Sequence, residues 1–239
     1  MSNNLVIIPT YNEIENISSL IHEIFKLSVS FHVLIVDDNS PDGTPQKVQS
    51  LQNEYPNKLH LEVRPGKLGL GTAYIHGFKW ALQNDYDLIF EMDADFSHNP
   101  NDLVRLYNTC VNEKLDMVIG SRYVNGVNVV NWPMRRVLLS YTASKYVRMI
   151  TGMKIYDTTA GFVCYTKELL QKINLDQVKF VGYAFQIEMK FNAYRLNCRF
   201  NEIPIIFTDR TKGTSKMSKG IISEAILGVL QMKIKSFFK

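Results

Sequence analysis

Residues 88–95, Leu-Ile-Phe-Glu-Met-Asp-Ala-Asp, join a short apolar run to two aspartates that are separated by one residue. An apolar run of this length is typical of a strand that is buried on both faces of a sheet. In the extended segment after such a strand, side chains two residues apart point the same way, so Asp93 and Asp95 would present two carboxylates together. Two hard oxygen ligands suit Mg²⁺ or Mn²⁺, which can keep coordination positions for the phosphate oxygens of a substrate.

The same arrangement repeats along the first half of the chain, where short apolar runs alternate with stretches of helical periodicity. The runs fall at residues 5–8, 32–36, 59–63 and 117–119, and the helical stretches at 13–27, 44–54, 69–83 and 101–112. The second half adds helical stretches at 135–150 and 183–197 and apolar runs at 160–165 and 200–206. Strand–helix alternation with short connections predicts an α/β fold, a Rossmann-like, mostly parallel sheet with helices on both faces.

Four of the early runs are followed by a polar cluster. The clusters are PTYNE at 9–13, DDNSPDGT at 37–44, DAD at 93–95 and GSRY at 120–123. Taken singly, each is also typical of a helix cap or a turn. Because ligands bind at the carboxyl ends of the strands in such folds, the four clusters together predict a functional site at one edge of the sheet.

The composition excludes several classes of protein. Of the 239 residues, 46% are hydrophobic and 21% are charged, which is typical of an ordinary globular protein. Lysine plus arginine number 27 and aspartate plus glutamate 23, so the net charge of +4 (27 − 23) does not indicate nucleic-acid binding. Three separated cysteines without a CxxC pair argue against a disulfide scaffold or a zinc module. The first apolar run is short and lacks a basic leader, and no window is apolar enough to span a membrane, so we expect a cytoplasmic protein.

A glycine-rich segment at residues 66–72 precedes the third helical stretch. The chain contains neither a GxxxxGK[ST] phosphate loop nor a GxGxxG fingerprint after its first strand. Two interpretations of the segment stay open: a phosphate cradle, or a turn that leads into the helix.

These motifs, in this order, resemble those of the family 2 glycosyltransferases of the GT-A fold. The resemblance rests on PTYNE, DDNSPDGT, GKLGLGTA (66–73), MDADFSHNP (92–100) and GSRY. Later segments are similar to the polyprenol-phosphate (dolichol-phosphate) mannosyltransferase branch, namely NWPMRR (131–136), DTTAGF (157–162), FQIEM (185–189), EIPI (202–205) and the stretch 210–217. The resemblance covers nearly the whole chain and is more specific for the fold and the reaction class than for the donor sugar.

The resemblance implies that a nucleotide-sugar donor binds at the first strand ends. Contacts with its base and ribose are implied for Pro9, Tyr11, Glu13, Val36 and Asp38. Asp93 and Asp95 are implied to coordinate Mg²⁺ or Mn²⁺ at the donor diphosphate, with Asp95 also among the catalytic residues and Ala94 contacting the donor through its backbone. Many relatives carry glutamine where this chain has Ser97, so we expect the shorter Ser97 to join the metal site, with water or His98 completing it.

The implied acceptor is a polyprenyl phosphate. Arg122, Arg136 and Ser140 are the implied catalytic residues that receive its phosphate, and Arg210 and Lys216 are implied to close over the donor diphosphate. A polyprenyl phosphate is already anionic near neutral pH, so it needs no general base. Catalysis then consists of positioning two anions and stabilising the departing diphosphate. The resemblance implies inversion at the anomeric carbon, with GDP-mannose as the expected donor.

The last stretch, residues 218–239, has apolar residues at helical spacing and several lysines nearby. A basic amphipathic helix can lie in a membrane interface, although packing on the domain or a dimer contact explains the pattern equally well. We therefore expect a GT-A domain over residues 1–217 and an amphipathic helix over 218–239, with peripheral contact at the cytoplasmic face of a membrane. A membrane-anchoring protein, as some relatives use, is a further candidate partner.

Three alternatives stay open at this point. The first is the same transfer with UDP-glucose as the donor. The second is a family 2 transferase that acts on a saccharide hydroxyl, which needs a base, and Glu188 and Asp157 are the candidates. The third is a noncatalytic nucleotide-sugar-binding protein, and the intact Asp93 and Asp95 pair argues against it.

Overall fold

A seven-stranded sheet forms the centre of the protein, whose computed structural model describes residues 3–209 and 221–236. The strands are β1 (Asn4–Thr10), β2 (His32–Asp37), β3 (Leu59–Val63), β4 (Leu88–Glu91), β5 (Met117–Ser121), β6 (Val129–Val130), β7 (Val163–Thr166), β8 (Phe200–Pro204) and β9 (Phe207–Thr208). The α-helices are α1 (Ile17–Phe25), α2 (Thr44–Gln52), α3 (Leu70–Gln83), α4 (Asn101–Asn112), α5 (Met134–Thr151), α6 (Lys167–Lys172), α7 (Tyr183–Arg195) and α8 (Ile221–Lys235). A 3₁₀ turn lies at Leu175–Gln177.

The strand order is β3-β2-β1-β4-β7-β5-β8. All neighbouring strands are parallel except β7, which runs antiparallel to both β4 and β5. Strands β6 and β9 form a separate parallel pair. The α/β, mostly parallel GT-A-like sheet is thereby confirmed. The direction of β7 is not contained in its apolar pattern, because a buried strand has the same pattern whichever way it runs.

The helices lie on both faces of the sheet because the apolar side chains of its strands alternate in direction. In β1, Leu5 and Ile7 join the cluster formed with α3, α5, α7 and α8. Val6 and Ile8 of the same strand join the opposite cluster, formed with α1, α2 and α4. The period of two in a strand thus divides one continuous apolar run between two cores.

Two predicted elements begin several residues later in the structure than in the prediction. The helix predicted over 13–27 begins only at Ile17, because the Glu13 carbonyl first closes a turn by accepting bonds from Asn16 and Ile17. The strand predicted over 160–165 is Val163–Thr166, and the residues before it form a loop.

Helix α8 lies against α5 and α7. Its Val229 and Met232 are buried there, whereas Leu227, Leu230 and Ile234 are exposed. The helix predicted over 218–239 is present over Ile221–Lys235 and ends one residue before Ser236, which forms a turn, whereas residues 218–220 and 237–239 lie outside the described residues. Across 3–209 and 221–236, no helix combines the length and the apolar character that crossing a bilayer requires.

Candidate functional site

The polar clusters after β1 and β2 are joined by hydrogen bonds at the carboxyl edge of the sheet. The Thr10 hydroxyl donates to Asp37 Oδ2 at 2.6 Å, and the Asp38 amide donates to the Thr10 carbonyl at 3.0 Å. Asp37 also accepts from the amide and the hydroxyl of Ser40, both at 2.7 Å. The fully buried Asp37 therefore holds the two clusters together, and the next residue, Asp38, takes the position at the site.

The residues predicted to hold a nucleoside lie around this junction. Pro9 and Val36 are partners in the register of β1 and β2. Glu13 is buried, with its amide donating to Thr44 Oγ1 at 3.1 Å and its Oε2 accepting from Asn16 Nδ2 at 3.0 Å. The sequence analysis missed Thr44, which begins α2 beneath this turn.

Tyr11 and Asp38 each have a cationic neighbour that the sequence analysis did not identify. The Lys67 ammonium lies 4.9 Å from the centre of the Tyr11 ring. The buried Arg64 donates from Nε to Asp38 Oδ1 at 2.6 Å. Arg64 directly follows β3, so applying the strand-end rule to this strand as well would have found it.

The two aspartates of the DAD motif follow β4, as predicted, and Ser97 orients the second of them. Asp95 Oδ1 accepts from the Ser97 hydroxyl at 2.6 Å and from the Ser97 amide at 3.1 Å. Burial, together with the negative charges of Asp93, Glu91 and Asp95 nearby, holds the pKa of the Tyr74 hydroxyl well above its usual range. The carboxyl groups of Glu91, Asp93 and Asp95 therefore all act on one buried hydroxyl, and the two aspartates are the pair that would attract a divalent cation.

The chemistry of the DAD motif fits Mg²⁺ or Mn²⁺, because it offers hard oxygen ligands from two carboxylates and one hydroxyl. Within the described part of the chain, no group of three or more His, Cys, Asp or Glu side chains is arranged to hold a metal ion. Asp93 and Asp95 would consequently need ligands from a substrate or from water to complete an octahedral shell.

His98 packs behind the DAD motif. Its ring stacks on Phe162 with 4.7 Å between centroids and lies edge-on to Phe207 at 5.3 Å. Its Nδ1 accepts from the Asp93 amide at 3.4 Å. Burial lowers the pKa of His98 to about 4, so the imidazole is neutral near pH 7 and its Nδ1 positions the backbone of Asp93.

The Arg122 guanidinium lies 5.5 Å from the centre of the same Phe207 ring that packs against His98. The charges of Asp95, Arg122 and Asp157 accordingly all act on the pKa of His98. The predicted metal ligands and the predicted acceptor-binding arginine therefore lie within electrostatic range of the same buried ring.

Arg122 is held by Asp157, which is fully buried. Its Nε and Nη2 donate to the two carboxylate oxygens of Asp157, each at 2.7 Å, and its backbone amide donates to Oδ2 at 2.9 Å. Burial alone would raise the pKa of Asp157, but the Arg122 charge and hydrogen bonds outweigh burial and lower it. Asp157 is therefore an ionised partner of Arg122, and its oxygens are engaged.

Arg136 and Ser140 lie on α5. Arg136 Nη1 donates to both carboxylate oxygens of Asp209 at 3.0 Å, and its guanidinium lies 4.0 Å from the centre of the Trp132 ring. Asp209 lies directly after β9 and was not predicted. The Arg122 guanidinium lies 5.5 Å from the centre of the same Trp132 ring, so this indole brings the two arginines to one place.

The side chain of Ser140 lies next to Tyr123. Burial raises the pKa of Tyr123, and the Ser140 side chain is among the groups that offset this effect.

A buried polar network beneath the DAD motif was also missed. Gln186 Nε2 donates to Glu91 Oε2 at 2.9 Å, and Lys190 Nζ donates to Gln186 Oε1 at 3.1 Å and to the Ala160 carbonyl at 2.6 Å. Burial raises the pKa of Glu91 to about 8 and lowers that of Lys190 to about 8. The sequence contained two signals of this network. Glu91 is a charged residue inside the apolar run LIFE, and Gln186 and Lys190 lie four residues apart on one helix.

Glu188, the other candidate base, lies on α7. Its Oε2 accepts from the backbone amides of Lys179 and Phe180, at 2.9 and 3.0 Å. These bonds fix the loop that leads into α7. The Glu188 carboxylate therefore stabilises the conformation of this loop.

The glycine-rich segment leads into α3. Gly69 has a φ of 100°, which a residue with a side chain rarely adopts. At Gly71, a Cβ atom would lie only 2.6 Å from the Phe180 carbonyl oxygen, so glycine lets α3 approach the loop before α7. The positive φ at Gly69 and the close approach at Gly71 explain why both positions are glycine, and they favour the interpretation of this segment as a turn that leads into α3.

Two further predicted residues lie outside the described residues. They are Arg210 and Lys216, which were predicted to close over the diphosphate.

Comparisons with known proteins identify relatives of this chain. The chain is 45% identical over 231 residues to the polyprenol monophosphomannose synthase of Mycolicibacterium smegmatis, covering 97% of this chain and 87% of that protein. It is 44% identical over 225 residues to the undecaprenyl-phosphate mannosyltransferase of Micrococcus luteus, covering 94% and 91%.

Among solved structures, the fold is similar to that of glucosyl-3-phosphoglycerate synthase from Mycobacterium tuberculosis. In complex with Mn²⁺, uridine diphosphate and phosphoglyceric acid, that enzyme aligns with a TM-score of 0.71 at 16% identity over 97% of this chain and 78% of its own. The complex with Mg²⁺ and uridine diphosphate gives a TM-score of 0.70 at 16% identity, over 97% and 79%. The family model for glycosyl transferase family 2 matches residues 5–174. The chain therefore belongs to glycosyl transferase family 2.

Proposed function

We propose that the protein is an inverting glycosyltransferase that moves mannose from GDP-mannose onto a polyprenyl phosphate. The names of the two relatives, a polyprenol monophosphomannose synthase and an undecaprenyl-phosphate mannosyltransferase, support this reaction class. The observation that carries the proposal is the position of His98, whose Nδ1 accepts from the Asp93 amide and whose ring packs against Phe207, with the Arg122 guanidinium 5.5 Å from the centre of that Phe207 ring. An acidic motif suited to a metal and an arginine suited to a phosphate thus lie around the same aromatic residues.

In this proposal the donor lies along the ends of β1, β2 and β4. Base and ribose contact Pro9, Tyr11, Glu13, Val36 and Asp38, and the backbone of Ala94 lies against the donor. Asp93 and Asp95, with Ser97 orienting Asp95, would hold Mg²⁺ or Mn²⁺, which would neutralise charge on the leaving diphosphate. The named structural neighbours were crystallised with Mn²⁺ or Mg²⁺, in keeping with a divalent ion. Arg210 and Lys216 would add cationic contacts to the same diphosphate.

The acceptor phosphate contacts Arg122, Arg136 and Ser140. An arginine can bind two phosphate oxygens with its planar fork, which restricts the orientation of the attacking oxygen. Attack on the face of the sugar opposite the leaving group inverts the anomeric carbon, so an α-linked donor gives a β-linked product. The ionic partners of the arginines, Asp157 and Asp209, keep them oriented before the acceptor binds.

A saccharide hydroxyl is a poorer match as the acceptor, because it requires a base. Asp157 is fully engaged by Arg122 and has a lowered pKa, and Glu188 accepts two backbone hydrogen bonds. Both residues suggested as bases are thus committed to other contacts. A phosphate acceptor removes the need for either of them.

Peripheral membrane contact would follow from a lipid acceptor. Met134, Leu138 and Leu139 of α5 are exposed, as are Leu227, Leu230 and Ile234 of the adjacent α8. Exposed apolar side chains on two packed helices suit insertion into a bilayer interface. A GT-A domain with α8 as its membrane-facing helix, at the cytoplasmic face and with or without an anchoring protein, is the arrangement we propose.

The experiment is a donor screen with purified protein, Mg²⁺ or Mn²⁺ and a short polyprenyl phosphate. GDP-mannose, UDP-glucose and UDP-N-acetylglucosamine are compared by the mass of the lipid product, with EDTA as the metal control. A β-linked mannosyl phosphoryl lipid that forms only with metal supports the proposal. A glucosyl lipid from UDP-glucose would replace the donor, and the absence of any lipid product would overturn the proposal.

Lipid contact is tested by sedimentation with phosphatidylcholine vesicles that contain anionic lipid. Leu138→Ser/Leu139→Ser should bind vesicles more weakly than the parent protein. Val111→Ser is the matched control, because Val111 is similarly exposed on α4. Equal binding by all three proteins would overturn the assignment of α5 to the membrane interface.

A further inference from the structure

Arg64 joins three separate parts of the carboxyl edge. It follows β3, and its amide donates to the Asp37 carbonyl of β2 at 2.8 Å. Its Nε reaches Asp38 Oδ1 at 2.6 Å, and Nη2 forms an ion pair with the same oxygen. Its Nη1 donates to Thr72 Oγ1 at 2.8 Å, and Nη2 to the Gly69 carbonyl at 3.3 Å.

The guanidinium is buried together with the carboxylate that it holds. The Arg64 side chain is 6% exposed and the Asp38 side chain 9%. Ordering a long side chain in such a place costs conformational entropy, and desolvating two charges costs more, so the pair is retained only with good geometry. Arginine provides that geometry because its donors are spread over three nitrogens in one plane, whereas an ammonium group donates from a single nitrogen and cannot reach Asp38, Thr72 and Gly69 from separate atoms.

The contacts of Arg64 leave one side of Asp38 open. Of the three hydrogen-bonding nitrogens of the Arg64 guanidinium, Nε and Nη2 meet Asp38, both at Oδ1, and no described residue donates a hydrogen bond to Oδ2. Asp38 is also next to Asp37, whose oxygens are used within the fold. Arg64 thus holds Asp38 through Oδ1 alone.

The second anchor of Arg64 is the entry to α3. Thr72 Oγ1 donates to the Gly69 carbonyl at 2.8 Å while it accepts from Arg64. Gly69 has its positive φ at this position, and Lys67, whose ammonium lies over Tyr11, is two residues earlier. The same guanidinium thereby orders the carboxylate and the segment that carries the Tyr11 contact.

We propose that Arg64 is a positioning residue for the donor nucleoside: it fixes Asp38 Oδ2 and the segment 67–72 where the base and ribose bind. The inference rests on the proposed function, in which Tyr11 and Asp38 contact the nucleoside of the donor. Arg64 itself acts through these residues.

This role predicts a separation between donor binding and turnover. The diphosphate and the metal are held at β4, on residues that Arg64 does not touch. Loss of Arg64 should therefore weaken the binding of nucleoside diphosphates and raise the KM for the donor, with little change of kcat at saturating donor.

The test compares the full-length parent protein with Arg64→Lys, Arg64→Met and Thr72→Val. Calorimetry with Mn²⁺ measures the Kd of GDP and of inorganic pyrophosphate, which lacks the nucleoside. We expect Arg64→Met to weaken GDP binding by roughly tenfold, equivalent to about 1.4 kcal/mol, and to leave pyrophosphate binding unchanged. Arg64→Lys should fall between the parent and Arg64→Met, because it keeps the charge and loses the fork.

Arg199→Lys is the matched control, since Arg199 forms an ion pair with Asp116 ahead of β5, at the opposite edge of the sheet. It should bind GDP as the parent does. If Arg64→Met does not fold, Thr72→Val decides, because it removes one contact of the guanidinium and leaves the Asp38 pair in place. A smaller loss of GDP affinity with unchanged pyrophosphate affinity is then expected.

The outcomes separate this inference from the proposed function. GDP affinity equal to that of the parent in Arg64→Met, or an equal loss for GDP and pyrophosphate, overturns the positioning role. A nucleoside-specific loss supports it, even if no lipid product forms in the donor screen, in which case only the proposed reaction fails. A parent protein that binds no nucleoside diphosphate overturns both.

Discussion

The Lys190 ammonium and the Glu91 carboxyl are buried together in the core, with the Gln186 amide as a bridge that contacts both. The network spans from the strand that carries the DAD motif to the loop before β7, because Lys190 also holds the Ala160 carbonyl. Removing one member of a buried pair leaves its partner uncompensated, which costs more than the pair contributes.

We therefore expect Lys190→Met to lower the free energy of unfolding by about 1–3 kcal/mol, because the Ala160 carbonyl and the Gln186 amide oxygen lose their buried donor. The double variant Glu91→Met/Lys190→Met should lose less than the sum of the two single losses, because both partners contact the same Gln186 amide. Urea denaturation of the single and double variants measures the coupling. Strictly additive losses would contradict a coupled pair.

Asp95→Asn should reduce kcat/KM at least about a hundredfold, the effect seen when a preorganised electrostatic contact in an active site is lost. Its Mn²⁺-dependent affinity for GDP should fall as well, because the amide is a weaker metal ligand. Ser97→Ala should cost less, about 1 kcal/mol or roughly fivefold, because it removes one hydrogen bond to Asp95. Asp85→Asn, at an exposed aspartate, provides the control, and an Asp95→Asn enzyme as active as this control would exclude the metal role.

Arg136→Ala should raise the KM for polyprenyl phosphate about tenfold to a hundredfold, since a hydrogen bond to a charged group contributes about 1.5–3 kcal/mol. Asp209→Asn should raise this KM by a smaller factor, because the asparagine oxygen can still accept from Arg136 while the ionic contact that orients the guanidinium is lost. Initial rates at saturating donor measure both effects. A lowered or unchanged acceptor KM in Arg136→Ala would remove this arginine from the acceptor site.

Glu188→Gln tests the need for a base. A general base contributes about 10²–10⁴ in rate, so an enzyme that used Glu188 in this way would lose most of its kcat. We expect kcat within about threefold of the parent, because the glutamine oxygen can still accept the backbone bonds of the loop. Steady-state rates with the lipid acceptor decide, and a hundredfold loss with an unchanged melting temperature would revive the hydroxyl acceptor.

A histidine cluster at the sheet edge predicts a pH effect on stability. Tyr86 Oη lies 2.8 Å from His32 Nδ1 and 3.3 Å from His60 Nε2. Burial lowers the pKa of both histidines, with Lys58 adding to the effect at His32 and His32 adding to it at His60. The unfolded chain therefore binds more protons than the folded protein as the pH falls through about 6.5, so the free energy of unfolding should decrease there.

Urea titrations between pH 7 and 5 should reveal this decrease. His60→Gln should reduce the slope of the free energy of unfolding against pH, by an amount that corresponds to up to about one bound proton. His22→Gln, at a histidine paired with Glu54 on the surface, should retain the slope of the parent. A slope that is the same in all three proteins would show that the cluster does not titrate with folding.

The site was predictable from the sequence to the extent that it depends on strand ends. The strand-end rule led to Asp38, Asp93 and Arg122, because a parallel sheet brings these local positions to one edge whatever the rest of the chain does. Arg64 obeys the same rule, but a single arginine before a proline resembles a turn more than a polar cluster.

The ionic partners of the site were not predictable in this way. Asp157 is 35 residues from Arg122 and Asp209 is 73 residues from Arg136, so no local period connects the members of either pair. The antiparallel direction of β7 was hidden for the same reason, because a pairing partner is a property of the folded sheet.

Strand β7 also sets the distance between the ends of β4 and β5. Because it is inserted between β4 and β5, the strand that leads to Asp93 and the strand that leads to Arg122 are two interstrand spacings apart, or about 10 Å. Direct neighbours would bring an aspartate motif and an arginine close enough to neutralise each other. In the proposed reaction, the strand between them leaves room for a sugar ring between the donor diphosphate and the acceptor phosphate. The polypeptide would thus use a strand as a spacer, and backbone geometry would fix the distance over which the sugar moves.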